Sequence, residues 1–209
     1  CPPHFYAHGS DPLFLPFTRL CRYMDRAANL LSGGECPAPV AVLYHAEAEW
    51  TGSEAMLTQI PARELTRAQI PFDILSEDHL QKAEFSPGAF SVGGARYEAL
   101  VIPGRAVMTD ELLAFLGRLD RHGVPYRFVG RVPDAAIDRR QEHPAAPNGG
   151  PICPEQLPQW LCRFRLPTGT PCPDLRARRY RHPDGTVWML TNEHPFAPLT
   201  TSIDFPEGK

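Results

Sequence analysis

Tyr97-Glu98-Ala99-Leu100-Val101-Ile102-Pro103-Gly104 holds an unbroken apolar run, Ala99 to Ile102, cut off by a Pro-Gly turn. A short apolar run bounded by turn residues is the mark of a strand buried on both faces. The same sign recurs on either side. Val40-Ala41-Val42-Leu43-Tyr44 lies upstream, and Tyr126-Arg127-Phe128-Val129 lies downstream, stopping at Gly130. Ile70 to Leu75 reads as a further strand between the first two. Helical segments separate these runs. Pro61 to Gln69 reads as one helix. Ser76 can cap a second over Glu77–Ala83. Thr109 caps a third through Arg121, with Asp110 and Glu111 in its first turn and Gly123 as its stop. Strands alternating with helices predict an α/β sheet, and the spacings leave room for right-handed crossovers. The expected fold is a flavodoxin-like, doubly wound, mostly parallel sheet with its first strand near the centre. An antiparallel β extension is expected at the C-terminus.

Further out the signals are local. Residues 11–32 predict an amphipathic helix: Leu13, Phe17, Leu20, Met24, Ala27 and Leu31 form its stripe. Asp11 is the expected N-cap, Pro12 the first helical residue, and Gly33-Gly34 the end. Pro16 can delay the regular helix. The stripe needs a partner surface, in this sheet or in a domain upstream. Residues 85–97 read as a hairpin or small excursion. Residues 144–151 read as a loop, and Pro154–Phe164 as a short helix containing Trp160. Arg176–Arg181 and Thr186–Thr191 flank His182-Pro183-Asp184-Gly185, a hairpin signal, and Leu199–Phe205 reads as a third strand of that tail.

Of the 209 residues, 43% are hydrophobic and 22% charged, the balance of a globular chain. A net charge of -3 gives no reason to expect a nucleic-acid partner. The 24 prolines gather in the first 40 residues and in 144–206, predicting extended chain there. No basic segment leads into an apolar one, and no apolar stretch approaches the roughly 20 residues that span a bilayer. No membrane partner is expected, and the reading is a cytoplasmic piece of a longer chain. The six cysteines form no C-x-x-C pair. Cys21 is expected on an apolar helix face. Cys153, Cys162 and Cys172 are expected as free thiols, with one disulfide among them as the alternative.

The segment 45–53 leaves the first strand at its carboxyl end, where ligands sit in doubly wound sheets. It reads as a loop. His45, Glu47, Glu49 and Trp50 supply carboxylates for hydroxyls and a ring for a sugar face, or the anchor of a protein interface. The plain alternative is a solvated loop. Glu47 and Glu49 share one short segment, so they cannot face each other across a glycosidic bond. Thr51-Gly52-Ser53 is a fragment of a phosphate cradle, and the acids before it oppose phosphate. No flavin or other cofactor is expected. Pro103-Gly104-Arg105 reads as a structural turn and His122 as a helix-end cation. Gly130-Arg131 stands where a nucleophile elbow would be, yet neither residue can serve. His4 and His8 near Cys1 are too isolated for a metal site, and none is expected.

The stretch Tyr97–Gly104, a helix, and then Gly123-Val124-Pro125-Tyr126-Arg127-Phe128-Val129-Gly130 resembles the class I glutamine amidotransferase-like fold. More narrowly, it is similar to the middle, trimerisation-type domain of family 42 β-galactosidases and related large bacterial glycoside hydrolases. Phe72-Asp73-Ile74-Leu75-Ser76 resembles that family's second strand. The helix with Tyr23, Arg26, Leu30-Leu31 and Gly33, leading into Pro39–Tyr44, looks like the last helix of a catalytic barrel. Gly185–Glu193 is similar to the entry into a following β-sandwich. The resemblance implies three parts: 1–36 from the end of an upstream barrel, 37–172 as the amidotransferase-like domain, and 173–209 leading into the sandwich. It also implies those domains as partners, a homo-oligomer, and carbohydrate near Trp50. Active amidotransferases place a Cys right after the strand matching 125–129. No Cys occurs here between Cys36 and Cys153, so that nucleophile is not carried over. The expected role is a non-catalytic accessory domain of a glycoside hydrolase. The alternatives are a carbohydrate-binding module, or a hydrolase in which Cys153 or Cys162 folds back to His45 or His143.

Overall fold

The computed structural model describes residues 11–133, 135–136 and 150–205. Cys1, His4, His8, His143 and most of the 144–151 segment lie outside them. Two units are distinguished: residues up to Cys36 together with Arg179–Trp188, and Pro37–Arg178 together with the residues from Met189.

In the first unit, helix α1 spans Phe14–Leu31. Asp11 caps the preceding turn rather than the helix itself: its Oδ1 accepts the Leu13 N–H at 2.7 Å. The N-cap is Leu13, so the helix starts later than the Asp-Pro pair predicts. Pro16 falls in the first turn, where an amide has no intrahelical partner and a proline costs little. The predicted stripe forms but stays largely uncovered. No residue of α1 is buried, and Leu13, Leu20 and Met24 are 56%, 53% and 58% exposed. In the same unit the Glu35 and Arg181 backbones exchange hydrogen bonds at 2.8 and 2.7 Å, and their side chains pair at 3.2 Å.

The second unit begins with strand β1 (Val40–Tyr44), followed by helices α2 (Ala46–Trp50) and α3 (Gln59–Arg67). Strand β2 (Phe72–Ser76) and helix α4 (Glu77–Gln81) come next. Strands β3 (Glu84–Ser86), β4 (Ala89–Val92) and β5 (Ala95–Tyr97) form an antiparallel meander, one strand more than a hairpin. Then come β6 (Ala99–Pro103), the two-residue β7 (Val107–Met108), helix α5 (Asp110–His122) and β8 (Tyr126–Val129). The short β9 (Ala135–Ala136) pairs with β7. Two 3-10 turns flank helix α6 (Leu157–Trp160). The hairpin strands β10 (Leu175–His182) and β11 (Gly185–Asn192), whose Arg179–Trp188 part falls in the first unit, form their own two-stranded sheet. Leu199–Phe205 is not a strand; it makes a single bridge, Ile203 to Thr168.

The main sheet has the order β2-β1-β6-β8, every neighbouring pair parallel. Side chains alternate across it, as the two-residue period of a strand requires. Ala41, Leu43, Leu100, Ile102, Tyr126 and Phe128 pack on one face, with Leu112, Phe115, Leu116 and Leu119 of α5 and Phe90 of the meander. Val40, Val42, Ala99, Val101 and Val129 face the other way, onto Leu65 of α3 and Leu157 of α6. Both faces are covered, so the central strands read as continuous apolar runs. The four buried α5 side chains contribute about 1.5–3 kcal/mol each. Thr109 Oγ1 accepts the Leu112 N–H at 3.0 Å, and Gly123 at φ 67° ends α5 as predicted.

Gln69 holds the tail of this unit. It follows α3 in the left-handed region, φ 53°, a conformation that costs a non-glycine residue on the order of 1 kcal/mol. Its Nε2 shares two N–H donors among the carbonyls of Arg67, Cys172 and Leu175, at 2.7, 2.7 and 3.1 Å. These bonds tie residues 172–175 to the end of α3. Cys21, Cys153, Cys162 and Cys172 are free thiols. Cys172 is buried, whereas Cys21 is only half-buried.

Candidate functional site

Strand order sets what meets at the carboxyl edge. β1 lies between β2 and β6, so the residues that follow these three strands converge there: His45 after β1, Glu77 after β2, and Arg105 shortly after β6. Tyr44 pairs with Ser76 in register, so His45 and Glu77 leave their strands at the same level. Arg105 is fully buried, and its Nη1 donates to Glu77 Oε1 at 2.8 Å. Thr109 Oγ1 donates to the other Glu77 oxygen. An ion pair therefore spans the exit of β1, linking β2, β6 and the start of α5. Burial draws the Arg105 pKa below its ordinary value, with Glu77 and then Glu47 acting against that.

The segment after β1 is an arch over this pair. The His45 carbonyl accepts the N–H groups of Ala48 and Glu49, starting α2 where a loop was expected. Gly52, at φ 68°, follows its end. The chain then returns: the Met56 N–H donates to the Gly104 carbonyl at 2.6 Å, and the Ala106 N–H to the Glu54 carbonyl at 2.9 Å. Residues 54–56 thus zip onto 104–106 and cover Arg105. Gly104 is required at this closure. A Cβ there would lie 2.5 Å from the Val129 carbonyl oxygen and 2.8 Å from the Arg131 nitrogen.

The structure separates the four residues singled out from the sequence. His45 is fully buried, with a backbone hydrogen bond to Met56 acting on its ring. Burial, and then the nearby Arg105 charge, lower its pKa from 6.5 to about 4, so the ring is neutral at pH 7. Glu47 is half-buried, with its Oε2 inside and unpartnered. Glu49 is exposed, and Trp50 is 81% exposed. Glu49 and Trp50 can therefore meet an external partner, whereas His45 and Glu47 Oε2 belong with Arg105 beneath the arch.

The elbow position is filled. Gly130 follows β8 at φ 82°, in the left-handed region, and a Cβ there would lie 2.7 Å from the Met56 methyl. Arg131 pairs with Glu54 at 2.7 Å. Chemically, the edge offers a neutral imidazole shut away from solvent and a carboxylate already held by Arg105 and Thr109. Both groups lie away from bulk solvent. Among the described residues, no cluster of three or more His, Cys, Asp or Glu could hold a metal. Among the same residues no helix is long and apolar enough to cross a membrane.

Glu77 and Arg105 are the residues that sequence reading did not connect. Each had a sufficient local explanation, as a helix first-turn acid and as a turn residue. The available signal was opposite charges at equivalent exits of two strands that flank a third.

No protein-family model matches the chain, and no curated protein matches it. Among solved structures it is similar to an exo-carrageenase GH42 from Bacteroides ovatus, at 9% identity and a TM-score of 0.48, covering 74% of this chain and 23% of that one. It is also similar to a β-galactosidase from the psychrophilic Marinomonas ef1, at 15% identity and a TM-score of 0.39, covering 90% and 28%. A third is a GH42 β-galactosidase, at 16% identity and 0.44, covering 88% and 26%. The chain spans about a quarter of the length of each of these proteins.

Proposed function

We propose that this chain is a non-catalytic accessory domain of a larger glycoside hydrolase, with scaffolding and oligomerisation as its roles and the Glu49–Trp50 end of α2 as a contact edge. The observation that carries this reading is the carboxyl edge of the sheet. Where a working α/β enzyme presents a nucleophile and base, this chain has Gly130 packed against Met56 and a carboxylate bound to Arg105. The resemblance of Tyr97–Gly104 and Gly123–Gly130 to family 42 middle domains supplies the glycosidase context. The division into 1–36, 37–172 and 173–209 is part of the same proposal.

The test uses the longer enzyme that carries this chain. Trp50→Ala there is expected to raise KM several-fold or to dissociate the oligomer, measured by light scattering, without abolishing turnover. An enzyme unchanged in both respects would remove Trp50 as a contact. Because Trp50 is so exposed, a second reading is direct carbohydrate binding by this chain. Calorimetric titration with mono- and disaccharides tests it: saturable heat that is lost in Trp50→Ala supports it, and absence of heat rejects it.

A further inference from the structure

We propose that the arch 45–56 is a two-position strap and that Arg105 is its latch: in the second position Glu47 swings onto Arg105 Nε and Nη2, carrying Glu49 and Trp50 inward. This goes beyond the accessory-domain reading and does not depend on it.

The argument starts from the hydrogen bonds of a fully buried guanidinium. Arg105 has five N–H donors in a fixed fork. Nη1 is taken by Glu77, while Nε and Nη2 have no partner. Beneath the same arch, Glu47 Oε2 is also buried and unpartnered. Buried polar groups are ordinarily paired, because each one left unpaired carries a desolvation penalty. Here the unmatched donors and the unmatched acceptor have opposite charge, and a carboxylate meets a guanidinium edge with two parallel bonds.

The arch is built to make the exchange. It is pinned at both ends, by His45 at the exit of β1 and by the 54–56 to 104–106 bonds. Between the pins lies a five-residue helix whose single buried side chain is Ala48. A rigid-body shift of α2 therefore disturbs little packing. Glu77 keeps Arg105 in place through the shift, because Nη1 is not needed by Glu47. The expected consequence is a change at Trp50, at the far end of α2, while Trp160 in α6 and Trp188 in β11 stay as they are.

Fluorine NMR on the 209-residue chain labelled with 5-fluorotryptophan tests this, with Trp50→Phe assigning the Trp50 signal. The wild-type Trp50 signal is expected to show exchange between two states by relaxation dispersion. Glu47→Gln, which keeps the size and removes the charge, is expected to abolish that exchange, with Trp160 and Trp188 unmoved. Glu49→Gln is expected to leave it intact. Absence of exchange in the wild type, or the same exchange in Glu47→Gln, overturns the proposal. If Glu47→Gln also shifts Trp160 and Trp188, the decision passes to Glu47→Asp. Retained exchange in that charged variant supports the latch, and lost exchange overturns it.

Discussion

Removing the Glu77 carboxylate isolates the interaction that organises the carboxyl edge. Arg105 has no exposed surface and Glu77 only 4%, so neither charge is screened by solvent. Glu77→Ala removes the carboxylate bonded to the buried guanidinium, leaving only the unbonded Glu47 nearby, and takes the acceptor from Thr109 Oγ1. Breaking one side of such a pair costs about 3–5 kcal/mol. A domain of this size is stable by only about 5–15 kcal/mol. With a urea dependence of about 2 kcal/mol per M, the unfolding midpoint falls by about 2 M. Arg105→Met is expected to cost a similar amount, because it strands the carboxylate. The double variant Glu77→Leu/Arg105→Met removes both charges, and replacing a buried pair by apolar side chains is often neutral or stabilising. The two single effects should therefore fail to add, with a coupling of about 3 kcal/mol or more, read from urea titrations followed by circular dichroism. Single variants within about 1 kcal/mol of the wild type, or a double variant equal to their sum, would refute the reasoning.

Other outcomes follow from the same geometry. His45 has a folded pKa of about 4 against 6.5 unfolded, so between those values the unfolded chain binds more protons and stability rises with pH. Its contribution is complete above pH 6.5 and is lost on acidification toward pH 4. The size is about 3 kcal/mol, checked as the wild-type minus His45→Leu difference in urea midpoint across that range. Gly104→Ala drives a methyl into the Val129 carbonyl oxygen and should destabilise by about 2 kcal/mol or more in thermal unfolding. Gly130→Cys places a thiol after β8 but must hold φ 82° and displace the Met56 methyl. It should lose about 1–2 kcal/mol and release no ammonia from glutamine. Trp50→Ala in the isolated chain should stay within about 0.5 kcal/mol of the wild type, since the ring makes an exposed surface.

The apolar runs at 40–44, 99–102 and 126–129 were legible as strands because strands covered on both faces leave no polar alternation. The ends of α5 were legible because Thr109 and Gly123 act locally. α2 was not, because Ala46–Trp50 is too short for a helical period to show. Leu199–Phe205 was over-read: an apolar and β-branched composition supports a strand only when a neighbour supplies the ladder, and there only Ile203 finds one. The edge residues show the same limit more sharply. Glu77 and Arg105 lie far apart in sequence, and their pairing depends on β1 standing between β2 and β6. The exposure of Trp50 follows from its place on a short segment after a strand, a local property. The burial of His45 depends on the return of 54–56 onto 104–106, which no local pattern announces. Gln69 is similar, since a left-handed glutamine that holds three carbonyls has no signature of its own.

The central claim is that this chain carries no turnover of its own. It is tested most directly by assaying the purified 209-residue chain, beside the longer glycoside hydrolase proposed to carry it, on a panel of nitrophenyl glycosides and on glutamine. The account predicts blank rates for the chain on every substrate and glycoside hydrolysis by the longer enzyme alone. Saturable turnover by the chain, lost on Glu49→Gln or on alkylation of its thiols, would contradict it.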